Sequence, residues 1–181
     1  MSLLELFIIG LTLALDAAIV AMAAGALEDL DHRQVLEASA LFAAFQAAMP
    51  LLGLALGYGF RNELAEFGPI IGFVLLMLVG LKMLHDALTS DGSAPRAGLK
   101  ETRTLITLAI ATSIDALVIG ILFNFVPVNL PLAIGVIGGV TFVTCLAGFY
   151  IGKASKKMLG SRVQVWGAVA LIALAVKTLF V

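Results

Sequence analysis

Two aspartates stand in the middle of long apolar stretches of the sequence. Asp16 lies within "LFIIGLTLALDAAIVAMAAG", and Asp115 lies within "LITLAIATSIDALVIGILF". On insertion scales, an ionised aspartate at the centre of a membrane-spanning helix costs about 2.5–3.5 kcal/mol. Bound protons or a bound divalent cation would each offset this charge, and the two occupancies exclude one another. The pair therefore predicts a site that exchanges a cation for protons, with a structural pair bonded to hydroxyl or backbone groups as the alternative.

Neutral oxygen atoms accompany both acids. Thr12 precedes Asp16 by four residues and Thr112 precedes Asp115 by three, so each threonine shares a helix face with its carboxylate. Gln46 is an amide deep in another apolar stretch. Oxygen ligands suit Mg²⁺, Ca²⁺ or Mn²⁺ better than zinc or copper. We predict a metal site formed by Asp16, Asp115, Gln46, Thr112 and Thr12. The alternatives are a threonine hydroxyl bonded to its own helix and a Gln46 amide bonded to a neighbouring helix.

The composition is that of a chain embedded in lipid. Of its 181 residues, 61% are hydrophobic and 13% are charged, with a mean hydropathy of +1.11. A soluble domain is about half apolar and about a quarter charged. The first apolar stretch has no basic residue before it, which favours a membrane span over a cleaved signal peptide. Because about 20 apolar residues of helix cross a bilayer, we predict an all-α membrane protein with six spans, at residues 3–25, 35–58, 68–88, 104–125, 130–152 and 163–181.

The basic residues predict the orientation of these spans. Eight Lys and Arg residues fall in the first, third and fifth connections, whereas the second and fourth contain only Arg61. The positive-inside rule then places the odd connections in the cytoplasm and both termini outside. The net charge of −1 gives no indication of a nucleic-acid partner. The expected partners are a divalent metal ion and the lipid bilayer, and the oligomeric state stays open.

The two halves of the chain resemble each other at a shift of 99 residues. This shift places Asp16 on Asp115 and Gly53 on Gly152, and the third spans match at a shift of 95. A repeat of three helices is odd in number, so its second copy enters the membrane from the opposite side. We therefore predict a 3+3 inverted-topology repeat, with chance similarity between apolar helices as the alternative. The predicted parts are a first half at 1–90, a cytoplasmic linker at 91–103 and a second half at 104–181.

Inversion brings the two acids together. Each aspartate is about halfway along its span, so both lie near the midplane, and their carboxyl groups are expected within about 10 Å of each other. Glycines at Gly-xxx-Gly spacing in "GLALG" (53–57), "GVIGG" (135–139) and "GFYIG" (148–152) predict close approach of the helices that carry them.

The sequence contains no nucleotide site that could drive transport. No GxxxxGK[ST] run occurs, and no connection is long enough for a nucleotide-binding domain. Outward movement of a cation works against an inside-negative potential, at about 2.3 kcal/mol per charge per 100 mV. Export therefore needs a driving ion, and a carboxylate site that binds either protons or the cation predicts proton antiport.

Three motifs resemble one known family. The runs "LALDA" (13–17), "FQAAMPLLG" (45–53) and "TSIDAL" (112–117), in six spans with a long central connection, resemble the MntP-type manganese efflux pumps of bacteria, in the LysE-like exporter group. The likeness covers nearly the whole chain. It implies a manganese(II) exporter of the bacterial inner membrane rather than an enzyme, with Mn²⁺ as transported substrate and no cofactor. It also implies that Asp16 and Asp115 bind the metal, with Gln46 at a position that relatives often fill with Glu, Gln or His.

Other functions stay open at this point. A LysE-like exporter of another small solute or another divalent cation is the main alternative, and a cation channel would differ by lacking proton coupling. An amino-acid exporter would need a midplane arginine or a broken helix with a free N-terminus, and the sequence indicates neither. An intramembrane aspartyl protease also uses two aspartates on separate helices, but it needs a GxGD run, where this chain has "LAL" and "TSI" before its acids.

Overall fold

The computed structural model describes residues 1–57, 102–124 and 126–159, together with isolated positions between 70 and 81 and between 169 and 176. Within these residues the chain is helical and forms no strand. The helices are α1 (Leu3–Leu27), α2 (His32–Leu56), α3 (Thr102–Thr112), α4 (Ile114–Leu122) and α5 (Leu130–Leu159).

Four segments are long and apolar enough to cross a membrane, which confirms a multi-pass membrane protein. They are Leu3–Leu27, His32–Leu56, Arg103–Leu122 and Leu130–Ser155. They correspond to the predicted first, second, fourth and fifth spans. The predicted third span (68–88) and sixth span (163–181) and most of the predicted linker (91–103) lie outside the described residues, apart from isolated helical positions.

Two capping boxes define the starts of α1 and α2. The Ser2 hydroxyl accepts from the Glu5 N–H at 3.3 Å, and the Glu5 carboxylate accepts from the Ser2 N–H at 2.8 Å. In the same way, the Asp31 carboxylate accepts from the Gln34 N–H at 2.7 Å, and the Gln34 side-chain oxygen accepts from the Asp31 N–H at 3.0 Å. These side chains satisfy N–H groups that have no partner within the helix. Helix α2 therefore begins at His32, three residues before the predicted span.

Helix α5 continues beyond the predicted fifth span. Residues 153–159 were expected to belong to a connection, but the helix runs on to Leu159. The segment contains no Gly or Pro and is rich in good helix formers, which explains the extension. The end of α5 contacts the α1–α2 connection, where Lys153 Nζ donates to the Leu30 carbonyl oxygen at 3.1 Å, and the start of α2, where the Tyr150 hydroxyl lies 2.8 Å from His32 Nδ1.

The core consists of two apolar clusters. The first cluster joins the second half of α1 to the first part of α2, to α3 and to the second half of α5, through residues such as Val20, Phe42, Leu108 and Phe149. The second cluster joins the opposite ends of these spans and α4, through residues such as Leu6, Met49, Phe123 and Ile137. Every described span therefore passes from one cluster to the other.

Glycines allow two pairs of helices to touch backbone to backbone. Helix α1 packs chiefly against α5, and α2 packs against α4 and α5. A Cβ atom at Gly53 on α2 would overlap the Leu117 carbonyl oxygen on α4, and one at Gly152 on α5 would overlap the Met22 carbonyl oxygen on α1. These contacts confirm the close approach predicted from "GLALG" and "GFYIG".

The third glycine run does not pack as predicted. A Cβ atom at Gly135 or Gly139 would meet no described atom within 4 Å, and both residues are exposed. Only Gly138 of this run approaches α2, where an added Cβ would lie 3.2 Å from the Ala47 Cβ. The prediction for "GVIGG" is wrong because the spacing of the two outer glycines places them on a face of α5 that no described helix covers.

Candidate functional site

A polar layer separates the two apolar clusters. Each span carries polar side chains at the position where it changes from one cluster to the other. The layer therefore crosses all four described spans at one level of the fold. We use the term polar layer for these six residues: Asp16, Gln46, Thr112, Ser113, Asp115 and Thr141.

Gln46 connects α1 to the third described span. Its Nε2 donates to the Leu13 carbonyl oxygen on α1 at 3.1 Å, and its Oε1 accepts from the Ser113 hydroxyl at 2.7 Å. Gln46 and Ser113 are both 0% exposed. Because a carbonyl oxygen only accepts, the bond to Leu13 fixes which end of the amide faces α1. The interhelical hydrogen bond stated as the alternative for Gln46 is thus present, and Oε1 keeps a second lone pair for the predicted metal contact.

The span that carries Asp115 is broken at Ser113. Helix α3 ends at Thr112, Ser113 adopts φ −109° and ψ 5°, and α4 starts at Ile114. The sequence indicated no broken helix, so this is a correction. The two hydroxyls of "TS" bond to carbonyl oxygens of the preceding turn, as Ser and Thr side chains often do where a helix bends. Thr112 Oγ1 donates to the Leu108 carbonyl oxygen at 3.0 Å, and the single Ser113 hydroxyl proton is shared between the Ala109 carbonyl oxygen, at 2.6 Å, and Gln46 Oε1.

Asp115 lies in the first turn of α4. Its Oδ1 accepts from the Ala116 N–H at 2.8 Å. The N-terminus of a helix carries about half a positive charge, which stabilises a carboxylate there. The break therefore places the Asp115 carboxylate beside the positive end of a helix.

Asp16 lies in the continuous part of α1. It is half-buried, as is Asp115. Asp16 follows Leu13 by three residues, so it lies on the helix face next to the carbonyl group that Gln46 holds. The amide of Gln46 thereby links the turn before Asp16 to the break before Asp115.

The two predicted threonine ligands differ in position. Thr112 is buried in the polar layer, whereas Thr12 is exposed. The Thr12 hydroxyl donates to the Ile8 carbonyl oxygen at 2.9 Å, and the Thr112 hydroxyl donates within its own helix as well. This is the bonding stated as the alternative for each threonine. Since each hydroxyl oxygen can still accept, their role as ligands stays a prediction.

The layer is a sparse set of oxygen atoms. In the part of the chain that the structure describes, no three His, Cys, Asp or Glu side chains come together as a metal cluster. An ion held here would depend on two carboxylates and on neutral oxygens from amide, hydroxyl or backbone groups. Such a donor set suits a hard cation.

Sequence reasoning missed two members of the layer. Ser113 lies inside the "TSIDAL" motif, next to Thr112, and adjacent hydroxyls of this kind often bend a helix. Thr141 is 0% exposed and donates to the Ile137 carbonyl oxygen at 2.8 Å. Nothing in the sequence distinguishes it from the nearby Thr144.

Comparison with known proteins agrees with this picture. The profile of the MntP family, described as "Putative manganese efflux pump", matches residues 29–179. A relative with this description from Clostridium botulinum is 35% identical and covers 98% of this chain and 94% of its own length. Relatives from Methanothermobacter thermautotrophicus (34% identical, 99% of this chain, 96% of the relative) and Campylobacter curvus (36%, 97% and 96%) carry the same description. No solved structure matches the chain.

The family profile covers most of the sequence, and these relatives exceed 30% identity over nearly all of it. The chain therefore belongs to the MntP family of multi-pass membrane proteins.

Proposed function

We propose that the protein is a manganese(II) efflux transporter of the bacterial inner membrane, which exports Mn²⁺ by proton antiport through a site formed by Asp16 and Asp115. The observation that carries the proposal is the link through Gln46, which ties the turn before Asp16 to the helix break before Asp115 inside the polar layer. The descriptions of the relatives support manganese as the substrate.

The chemistry of the layer supports exchange of Mn²⁺ for protons. Two carboxylates match the charge of a divalent cation, and neutral oxygens from Gln46, Thr112 and Thr12 would complete a hard coordination sphere. When the cation leaves, protons can take its place on the two carboxylates, which offsets the cost of an ionised aspartate in a membrane-spanning helix. Proton binding and cation binding therefore compete at one site, which is the requirement for antiport.

The glycine contacts support a six-helix, 3+3 inverted repeat. Gly53 on α2 meets Leu117, and Gly152 on α5 meets Met22. A shift of 99 relates Gly53 to Gly152, whereas a shift of 95 relates Met22 to Leu117. The first helix of each proposed half therefore crosses the second helix of the other half in the same way.

A second pair of contacts repeats this relationship. An added Cβ at Gly25 would overlap the backbone of Phe149, and one at Gly120 would overlap the backbone of Pro50. The shift is again 95 for the glycines on the first helices and 99 for their partners. The two aspartates, by contrast, are 99 residues apart. Asp115 is therefore about four residues, or one helical turn, closer to the contact at Gly120 than Asp16 is to the contact at Gly25.

A broken span also bears on the amino-acid exporter. Such a transporter could use the α4 N-terminus to hold the carboxylate of its substrate. Here the Asp115 carboxylate itself accepts an N–H of that turn, and it would repel a second carboxylate. The break therefore favours a cation over an amino acid.

The proposal is tested in cells and in vesicles. An efflux-deficient bacterial strain that expresses the protein should tolerate excess Mn²⁺, and Asp16→Asn and Asp115→Asn should each abolish tolerance while the variants still reach the membrane. Asp29→Asn, at an exposed position in the α1–α2 connection, is the matched control. In proteoliposomes, Mn²⁺ flux should accelerate when a pH gradient is imposed. If the variants still protect, the site is wrong, and if the flux ignores the gradient, proton coupling is wrong.

A further inference from the structure

We propose that Ser39 forms a second binding site for the transported cation, which Mn²⁺ occupies together with part of its bound water before it reaches the polar layer. Ser39 lies in the first part of α2, on the side of the polar layer that is predicted to face the cytoplasm. This inference rests on the proposed function, because an exported cation must enter from the cytoplasm. It adds a site that no motif of the sequence indicates.

The Ser39 hydroxyl differs from other hydroxyls of the described helices. Seven of these donate to the carbonyl oxygen four residues earlier in their own helix, namely Thr12, Thr107, Thr112, Ser113, Thr141, Thr144 and Ser155. Ser39 is 0% exposed, and its hydroxyl has no hydrogen-bond partner among the residues that the structure describes. The hydroxyl therefore points into the space between helices. A native protein usually supplies such a group with a partner, and bound water or a bound ion is one kind of partner.

Ser39 lies on the same face of α2 as Gln46. The two residues are seven positions apart, which is two helical turns and about 10 Å along the helix axis. Both belong to the buried face of α2, and Gln46 contacts the broken span at Ser113. A cation that moves along this face from the α1–α2 connection therefore passes the Ser39 hydroxyl before it reaches the polar layer.

The helices on this side of the polar layer present many small side chains. Among the described residues, seven of the fifteen buried members of the first cluster are alanines, against two of the seven members of the second cluster. Ala17, Ala21 and Ala24 recur along one face of α1. Because a methyl group fills little of the space between helices, a small separation of the helices opens a passage here. Phe42 and Phe149, which are 0% and 1% exposed, are large side chains that must move for the passage to open.

A hydroxyl suits a partly hydrated divalent cation. Its oxygen accepts through two lone pairs and its proton donates, so it can contact the ion or the water bound to the ion. Oxygen is also the donor atom that Mn²⁺ prefers. Because the hydroxyl carries no charge, it attracts the cation less than the two carboxylates of the polar layer do. The Ser39 site therefore admits the ion without retaining it.

The direct test measures access to a thiol at position 39. Ser39→Cys in a Cys145→Ala background leaves this thiol as the only one in the chain. A membrane-impermeant cationic methanethiosulfonate should modify it in inside-out vesicles, and Mn²⁺ should slow the reaction severalfold. The protection should persist, at a higher Mn²⁺ concentration, when Asp16→Asn weakens the polar layer. The matched control is Ala40→Cys, which lies at the same depth on the exposed face of α2 and should not react, since the reactive thiolate is disfavoured in lipid.

A transport measurement complements the labelling. Ser39→Ala should raise the KM for Mn²⁺ by about 2–10-fold, the factor that corresponds to one hydrogen bond of ordinary strength. The kcat should change less, because the carboxylates of the polar layer are intact. The same variant should unfold at a higher temperature than wild type, since it no longer buries an unbonded hydroxyl. A residue with a purely structural role would not combine higher stability with weaker uptake of the cation.

Several outcomes would overturn the inference. These are a thiol in Ser39→Cys that does not react, that reacts only in right-side-out vesicles, or that Mn²⁺ does not protect in the Asp16→Asn background. The last result would mean that the hydroxyl lines a path for water alone. A wild-type KM in Ser39→Ala would also overturn it, and this measurement does not depend on whether Ser39→Cys folds. Failure of the proposed function is distinct, because Asp16→Asn and Asp115→Asn would then still transport Mn²⁺.

Discussion

Gln46 Nε2 on α2 donates a hydrogen bond to the Leu13 carbonyl oxygen on α1, at 3.1 Å in the protein interior. The two helices follow each other in the chain, yet α1 packs chiefly against α5. The bond therefore makes a polar link between neighbours that share little apolar surface. Since Leu13 lies one turn before Asp16, a change at Gln46 is transmitted directly to the face of α1 that carries the acid.

Gln46→Leu should impair transport far more than stability. The glutamine and leucine side chains are similar in size. Neither former partner of Gln46 loses its last hydrogen bond, because the Leu13 carbonyl oxygen keeps its bond within α1 and the Ser113 hydroxyl keeps its bond to the Ala109 carbonyl oxygen. The free energy of unfolding in detergent should therefore change by less than about 1.5 kcal/mol. Mn²⁺ flux should fall by about 10–100-fold, as for lost groups that orient metal ligands. Flux equal to wild type in a folded Gln46→Leu protein would exclude a role for the amide.

The glycine contacts predict large effects from a single methyl group. Gly53→Ala and Gly152→Ala should each destabilise the protein by about 1–3 kcal/mol, because the new Cβ would overlap a backbone carbonyl oxygen of the facing helix. Thermal unfolding in detergent measures this. Gly139→Ala is the matched control, since a Cβ there meets no described atom within 4 Å, and its higher helix propensity should stabilise the helix by up to about 1 kcal/mol. Equal shifts for all three variants would contradict the packing.

Ser39→Ala should stabilise the protein. The Ser39 hydroxyl is 0% exposed and has no hydrogen-bond partner among the described residues. Burial of an unbonded hydroxyl costs about 1–3 kcal/mol, and its removal should raise the thermal unfolding midpoint. Ser155→Ala, which removes a hydroxyl bonded to the Ile151 carbonyl oxygen, gives the baseline for a Ser→Ala change. A midpoint for Ser39→Ala below that baseline would show that the hydroxyl has a partner in solution.

Asp31→Ala should weaken the start of α2. The Asp31 carboxylate accepts from the Gln34 N–H at 2.7 Å as the N-cap of the helix. Loss of such a cap costs about 0.5–2 kcal/mol. Asp31→Asn keeps an acceptor oxygen and should behave nearly as wild type in the same thermal unfolding measurement. If both variants lose equal stability, the carboxylate contributes through its charge rather than through the cap.

Local features of the sequence were sufficient for the class of protein and for the principal acids. The lengths of the apolar stretches indicated membrane spans, and four of them coincide with helices of span length. Asp16 and Asp115 stood out because an ionisable residue at such a depth is costly. The family resemblance, confirmed by the profile match, rested on the short motifs around these acids and around Gln46. Each of these signals is carried by a few neighbouring residues, so it can be read without knowledge of the fold.

The tertiary structure decided which of these features meet. Whether a Gly-xxx-Gly run packs depends on the helix face that a neighbour covers, and Gly53 and Gly152 are covered while Gly135 and Gly139 are not. The partners of Gln46 are 33 and 67 residues away, so no local pattern contains them. The break at Ser113 lies at the same contact, since the Ser113 hydroxyl is 2.7 Å from Gln46 Oε1. The sequence alone determined where charge enters the membrane, and the packing of distant helices determined how that charge is held.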